Sequence, residues 1–445
     1  MPAHAFITSR LDELGRYQSL LLLQGPNGPF FRQVADRMRE LGATVTKVNF
    51  NGGDSLFYRD SSSVEYRGTA DAWPAYLHML VMQKSIRAIL LFGQCRPMHE
   101  AALTLARDIG IAVIVFEEGY VRPWWITMEE GGVNHASHLA DVVPAELPTY
   151  PQVQRPRQFR WAFTRMAWYS FLYFAAGVLS RRLYPHYEHH KPFRLKEMFH
   201  WMLSGYRKHL YRSTEREIIA PLLDTYGPDF FLVPLQISTD SQIVHASNWK
   251  DNEAFIEATI RSFACNACAT DLLVFKHHPL ERGHADYGAA IDAGTNRYGV
   301  TGRVLYIHDG HVPSLLKRSK GVVTINSTVG LQALYHGVPV CVTGAAFYAR
   351  PGIVEAVSMD TFWQESVEPN RKTFTRFYRY MMHTTQINAS FYVMSSLRAP
   401  RRGFAHGVLM RFAGAGAAMM LFGSGETSSL LEKSVAWLSS ALHAL

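Results

Sequence analysis

Three short runs in this 445-residue chain place groups able to bind or transfer a substituent at the ends of apolar segments. Glu117-Glu118-Gly119, with Arg122 close behind, follows the apolar stretch 111–116. Lys276-His277-His278-Pro279 follows 272–275, and Asn326-Ser327-Thr328 follows 322–325. Adjacent carboxylates suit nucleophilic or acid/base work. An ammonium, an imidazole, hydroxyls and the amides of a helix start suit a phosphate, so the second and third runs read as half of a nucleotide-sugar site.

Spacing decides which groups can meet. In extended backbone Glu117 and Glu118 point to opposite faces, so only one enters a given cleft, and Gly119 turns the chain. Pro279 ends strand pairing and holds His278 in one direction, while alternation sets Lys276 on the same side as His278. Ser327 or Asn326 can cap a helix carrying Val329, Leu331, Ala333 and Leu334, which stops at Gly337. Each run also has a plainer role, as solvated acids countered by Arg122, a structural histidine or a helix cap, and the residues alone leave both open. Gln236 and Asp240, in the polar run after the apolar 230–233, could read a base, a ribose or a sugar, or could cap the helix starting at 252. Gly25 and Gly28 lie in a loop that matches neither G-x-G-x-x-G nor a Walker sequence; it lets a ligand approach closely or simply punctuates the chain.

The elements that must carry these runs alternate. Strands are predicted at 19–23, 44–50, 88–92 and 111–116, with helices starting near 34, 73 and 99 and a turn at Asn51-Gly52-Gly53-Asp54. A second series has strands at 230–233, 272–275, 303–307 and 322–325, with helices at 216–226, 252–261, 312–319 and 328–337. Such alternation argues an α/β protein with parallel sheets covered on both faces, whose ligands collect beyond the carboxyl ends of the strands. The length argues two domains.

Hydrophobic residues make up 48% and charged residues 18%, which excludes a disordered chain. The four cysteines, Cys95, Cys265, Cys268 and Cys341, form no disulfide framework. The Cys265-x-x-Cys268 pair has no second pair at zinc spacing, so a metal role is not expected. The first residues hold no secretory h-region and no apolar run reaches the ~20 residues of a membrane span. A cytoplasmic protein is expected, at most bound to a membrane surface. The net charge of +8 is concentrated in 155–212, where Arg and Lys interleave with Trp, Tyr and Phe. That segment fits an interfacial helix at an anionic bilayer or a helical linker packed on the core. No nucleic-acid motif accompanies the charge.

The runs at 21–31, 47–54 and 116–123, with Gln236, Asp240-Ser241-Gln242, His278-Pro279 and Asn326-Ser327-Thr328, resemble the capsular polysaccharide biosynthesis and export proteins of the KpsS/LipB type, over about residues 19–395. The resemblance implies a GT-B-like fold, two Rossmann-like parallel-sheet domains facing across a cleft with additional helices. It implies a retaining β-Kdo transferase that moves Kdo from CMP-β-Kdo to a phosphatidylglycerol-type lipid, starting the linker of an exported capsule. In such enzymes a Glu-Asp-Gly carboxylate is the nucleophile; here Glu118 takes that place, with Glu117 as its electrostatic or acid/base neighbour. By the same resemblance His278, Pro279, Asn326, Ser327 and Thr328 hold the CMP phosphate, with Lys276 assisting and Gln236 and Asp240 on the donor. Gly25, Gly28, Asn51 and Arg122 fall to the acceptor or cleft. One phosphate neutralised by these donors needs no metal and no other cofactor. The expected partners are the donor, the lipid, the cytoplasmic face of an anionic inner membrane and other capsule assembly proteins. The expected divisions are 1–150, the basic aromatic segment 151–212, the CMP-sugar domain 213–365, helices in 366–400 and a tail at 401–445. Alternatives are a noncatalytic glycolipid-binding adaptor of the export machinery and a GT-B enzyme using another nucleotide sugar.

Overall fold

The computed structural model describes residues 10–189, 195–224, 227, 229–238, 243 and 246–393. Ser19–Leu22 (β1), Phe30–Glu40 (α1), Thr44–Asn49 (β2), Gly52–Phe57 (α2), Ser63–Glu65 (β3), Trp73–Gln83 (α3), Ala88–Phe92 (β4), Pro97–Ile109 (α4) and Ala112–Glu118 (β5) alternate strand and helix, and Ile126–Glu130 (β6) follows. Ala162–Leu179 (α5), Leu195–Thr214 (α6) and Arg216–Leu223 (α7) lead to a second series. It runs Phe230–Pro234 (β7), Asn252–Asn266 (α8), Leu272–Lys276 (β8), Gly288–Arg297 (α9), Val304–Ile307 (β9), Val312–Arg318 (α10), Gly321–Thr324 (β10), Thr328–Tyr335 (α11) and Val340–Val342 (β11). Met359–Phe362 (α12), Arg371–Thr385 (α13) and Gln386–Ile387 (β12) complete the described chain.

Two sheets result, in the orders β12-β6-β5-β4-β1-β2-β3 and β11-β10-β7-β8-β9. In each, the first strand lies centrally with its two successors on one side and the next two on the other, so each is doubly wound. Leu20, Leu21 and Leu22, like Phe230 to Val233, are wholly buried, because helices cover both faces of a parallel sheet. This is the GT-B-like α/β architecture. The second sheet is parallel throughout. The first departs from the parallel expectation at one edge, where β6 runs antiparallel to β5 and β12 antiparallel to β6. A parallel partner needs a crossover of a dozen or more residues, and the turn from Gly119 to Trp125 is too short for one.

Order reversal makes the crevice beyond β1 and β4, and that beyond β7 and β10, the places where ligands collect in such sheets. Asn51 to Asp54 is not the bare turn expected. The Asn51 side chain accepts from the backbone amides of Gly53 (2.7 Å) and Asp54 (3.1 Å) and starts α2.

The basic aromatic segment divides its faces. Tyr173, Phe174 and Gly177 of α5 are buried against α2, where a Cβ on Gly53 would meet the Tyr173 ring at 2.6 Å. Trp161 (73% exposed), Phe163, Trp168 and Leu179 (72% exposed) face outward. Among the described residues no helix is long and apolar enough to cross a membrane. Cys265 and Cys268 are exposed free thiols around the end of α8. Among the described residues no three His, Cys, Asp or Glu side chains gather in a metal-holding group. The tail 401–445 and Asp240 lie outside the described residues.

Candidate functional site

Pairing with β6 extends β5 beyond the apolar run that announces it, through Glu117 opposite Thr127 and Glu118 opposite Ile126. The two carboxylates therefore stand on regular strand backbone. Glu117 lies over the carboxyl end of β4, since a Cβ on Gly93 would come within 3.6 Å of its Oε2, and its Oε1 accepts from the Glu118 amide at 3.0 Å. Glu118 takes a hydrogen bond from the Tyr392 side chain. Burial pushes the Glu117 carboxyl up to about 7; the Glu118 amide, Arg122 and Arg96 oppose this while the Glu118 charge adds to it. Burial also raises Glu118, against Arg122 and Tyr392. Extended backbone thus gives the two acids different immediate partners while Arg122 acts on both.

The turn after them is held from three sides. A Cβ on Gly119 would strike the Trp125 backbone, its carbonyl carbon at 2.6 Å, so only glycine fits. The Tyr120 amide donates to Gln386 Oε1 (3.0 Å), and its hydroxyl donates to buried Glu129 (2.6 Å). The exposed Arg122 closes the turn by donating from Nε to the Gly119 carbonyl at 3.4 Å.

On the second sheet, His278 follows β8 and is half-buried. Its Nδ1 accepts from the Leu280 amide at 3.2 Å at the start of the 3-10 turn Pro279–Glu281, so the neutral ring keeps its proton on Nε2 as a free donor. Burial, then the charge of Arg122, pushes His278 down to about 3, so the imidazole is neutral at working pH. Pro279 sits exposed behind it. Lys276 departs from the clamp expected of it. Its amine is buried, donates to the carbonyls of His277 (3.1 Å) and His308 (3.0 Å), and is pushed down to about 8 by burial and by Arg282. Carbonyls already satisfy it, because a buried ammonium must find acceptors.

Gln236 and Asn326 meet at the crevice beyond β7 and β10. Gln236 Nε2 donates to Asn326 Oδ1 (2.9 Å), and the Asn326 amide donates to Gln236 Oε1 (3.2 Å). Ser327 caps α11, its Oγ accepting from the Val329 amide at 3.2 Å, and Thr328 opens the helix half-buried. Capping occupies one acceptor site of the Ser327 hydroxyl and leaves its proton free.

Gly25 is buried against Phe31 of α1, and Gly28 and Asn51 are buried beneath α5. A Cβ on Gly28 would meet the Tyr169 ring at 3.0 Å. Asn51 donates to the Tyr173 hydroxyl (2.8 Å), and Gln24 donates to the hydroxyls of Tyr173 and Tyr187, each at 2.7 Å. Buried amides take these hydroxyls as partners. Of the four expected cleft residues, Arg122 alone is exposed.

Two links join the halves. Arg122 lies within electrostatic reach of both carboxylates and of His278. Tyr120 stacks on Phe347 with centroids 4.2 Å apart, and the adjacent Tyr348 donates to the Ser327 carbonyl at 2.5 Å. Sequence reasoning missed Arg96, Tyr120, Tyr348 and Tyr392. Arg96 was open to discovery from its place just past the end of β4; Tyr392 carries no local signal. A separate cavity of about 570 Å³, lined by Arg16, Tyr17, Arg87 and Glu130 among others, opens at the opposite, amino ends of β1 and β5.

The raised Glu117 carboxyl has a testable cost. Between its ordinary value of 4.5 and about 7 the folded state binds more protons than the unfolded state, so stability falls as pH rises through that window. Glu117→Gln is therefore expected to raise stability at pH 8 by about 3 kcal/mol, the gain disappearing near pH 4. Urea unfolding of both proteins across that range checks this.

The family described as Capsule polysaccharide biosynthesis protein matches residues 87–392. The chain is 38% identical over 378 residues to the capsule polysaccharide export protein KpsS of Escherichia coli, covering 84% of this chain and 96% of that one. It is 36% identical over 385 residues to the capsule polysaccharide modification protein LipB of Neisseria meningitidis, covering 84% and 92%. Among solved structures, Thermosulfurimonas dismutans KpsC, beta Kdo 2,7 transferase, aligns over 81% of this chain and 89% of its own with 13% identity and a TM-score of 0.39. The match over most of their length to KpsS and LipB, together with the family match from β4 to Tyr392, shows that the chain belongs to the capsule polysaccharide biosynthesis protein family of the KpsS/LipB type.

Proposed function

We propose that the chain is a retaining β-Kdo transferase that moves Kdo from CMP-β-Kdo to a phosphatidylglycerol-type lipid, starting the linker of an exported capsular polysaccharide. The observation that carries this reading is Arg122, whose charge acts on the Glu117 and Glu118 carboxylates of one sheet and on His278 beyond the other. Relatives named for capsule polysaccharide export and modification support the same process.

In the first step a Glu118 oxygen bonds to the anomeric carbon as the bond from that carbon to the phosphate oxygen breaks, and CMP leaves with the electron pair. The Nε2 proton of His278, the Ser327 hydroxyl and the amides opening α11 stabilise the departing phosphate, with Thr328 adjoining and Arg122 adding charge. In the second step the acceptor hydroxyl bonds to the anomeric carbon, its proton passes through solvent to Glu117 on the other face of β5 and the Glu118 ester bond breaks. Two inversions give retention. A carboxyl near 7 can hold or release that proton at neutral pH. Gln236 and Asn326 orient the nucleotide. This mechanism calls on no metal or cofactor.

The exposed Trp161, Phe163, Trp168 and Leu179, beside the exposed Arg181 and Arg182, would seat the enzyme on the cytoplasmic face of an anionic inner membrane. Mass spectrometry of the product from purified protein, CMP-Kdo and phosphatidylglycerol vesicles tests donor, acceptor and activity together. A Kdo-lipid product with CMP release is expected. Product formed from another nucleotide sugar in a donor panel refutes the donor, and glycolipid binding without CMP release points to a noncatalytic adaptor. Charge reversal at Arg181 and Arg182 is expected to weaken vesicle binding at least about tenfold. Binding indifferent to that change would count against the membrane face.

A further inference from the structure

The side chain that hydrogen-bonds Glu118 belongs to neither sheet series. After β12 the chain runs on through Val393 and grips the Glu117 turn in succession. Gln386 accepts from the Tyr120 amide at 3.0 Å and donates to Thr127 Oγ1 at 3.0 Å. Asn388 Nδ2 donates to the Trp124 carbonyl at 2.7 Å and the Arg157 carbonyl at 3.1 Å, while its Oδ1 accepts from the Arg157 amide at 2.7 Å. Phe391 is buried, its ring edge-on to Phe92 (5.0 Å) at the end of β4 and to Phe30 (4.8 Å). Phe92 precedes the Gly93 over which Glu117 lies, so this anchor sets the next residue, Tyr392, beside the carboxylates.

We propose that Tyr392 is a positioning residue for the transfer step, its hydroxyl held by the 386–392 strap so that it orients the Glu118 carboxylate toward the anomeric carbon. The inference rests on Glu118 as the nucleophile. The groups facing Glu118 are Glu117 on its own strand, Arg122 in the turn and Tyr392 on the strap, with Arg96 beyond β4 acting on Glu117 and Tyr392, and His278 facing Arg122 from the second sheet. Burial and the two carboxylates keep the Tyr392 phenol far above its ordinary range, so it stays a donor throughout the working pH range. A neutral donor is what a desolvated nucleophilic carboxylate needs to stay charged, because burial pushes it toward protonation.

The test is CMP release from CMP-Kdo by the full chain from pH 5.5 to 9, comparing the unsubstituted protein, Tyr392→Phe and Glu118→Gln, with CMP affinity by calorimetry. Tyr392→Phe keeps the ring and is expected to lower kcat roughly ten- to a hundredfold at neutral pH, the size of one hydrogen bond to a charged group. Its acidic limb should move up by about one pH unit while CMP affinity changes less than about twofold. A profile that overlays that of the unsubstituted protein overturns the proposal, and so does an equal loss at every pH, which would mean ring packing alone. If Tyr392→Phe does not fold, Asn388→Ala, which slackens the strap four residues earlier, is expected to move the limb the same way, and an unmoved limb overturns the proposal. Full activity in Glu118→Gln overturns the nucleophile assignment and the Tyr392 role with it. An inactive Glu118→Gln beside an unchanged Tyr392→Phe overturns the Tyr392 role alone.

Discussion

Replacing Glu118 with Gln or Ala is expected to abolish CMP release from CMP-Kdo, by roughly 10³- to 10⁶-fold, the range for removing a covalent nucleophile. Glutamine keeps the size and loses the charge and the nucleophilic oxygen, so the loss should appear in kcat with donor affinity nearly unchanged. In the proposed mechanism His278→Ala would remove one neutral donor to the leaving group and should cost less, on the order of 10²- to 10³-fold. That ordering follows from the proposed mechanism, in which Glu118 would form a bond to the sugar while His278 would share the phosphate with Ser327, the amides that open α11 and Arg122. Single-turnover measurement of CMP release in the two variants tests the ordering. Equal losses would mean that His278 does more than stabilise the departing phosphate, and full activity in both would remove the site assignment.

Gly119→Ala is expected to disturb both the stability of the chain and the alignment of Glu118. The added Cβ would meet the Trp125 carbonyl carbon at 2.6 Å. Backbone cannot yield there, because β5 and β6 are in register at Glu118 and Ile126 just before the turn and the Thr127 hydroxyl bonds the Glu118 carbonyl at 3.1 Å. The strain should lower stability by about 2–3 kcal/mol, or else tilt the turn. Either outcome moves Glu118, and a displacement near 1 Å lowers a positioned reaction about a hundredfold. Thermal unfolding and CMP release measured together distinguish lost stability from lost alignment; a variant equal to the parent in both would show that the turn relaxes freely.

Much of the scaffold was legible in the chain because buried parallel strands are written as unbroken apolar runs. Leu20 to Leu23, Ala88 to Leu91 and Phe230 to Val233 announce themselves in this way. Strands outside that pattern were missed: β6 reads Ile-Thr-Met-Glu-Glu, whose buried Glu129 looks like a surface residue until Tyr120, Ser137 and His138 are seen around it. The site was half legible. Strand ends placed Glu117, Glu118, His278 and Ser327 at the rims where open sheets bind ligands, and alternation separated the immediate partners of the two acids. The same alternation misled at Lys276, since it tells which side a side chain leaves from and not that carbonyls of His277 and His308 wait to take its charge.

By itself the chain determined what depends on near neighbours: the strand–helix alternation, the cap at Ser327, the glycine demanded after Glu118 and the carboxylate pair itself. Tertiary structure alone decided what depends on distant segments meeting. It buried Lys276, covered Gly28 and Asn51 with α5 and Gly25 with Phe31, pushed Glu117 up to about 7 and brought Tyr392 to Glu118 across some 270 residues. The physical reason is that backbone preferences act over a few residues, whereas desolvation and charge act through space and take their size from whatever the fold packs around a group.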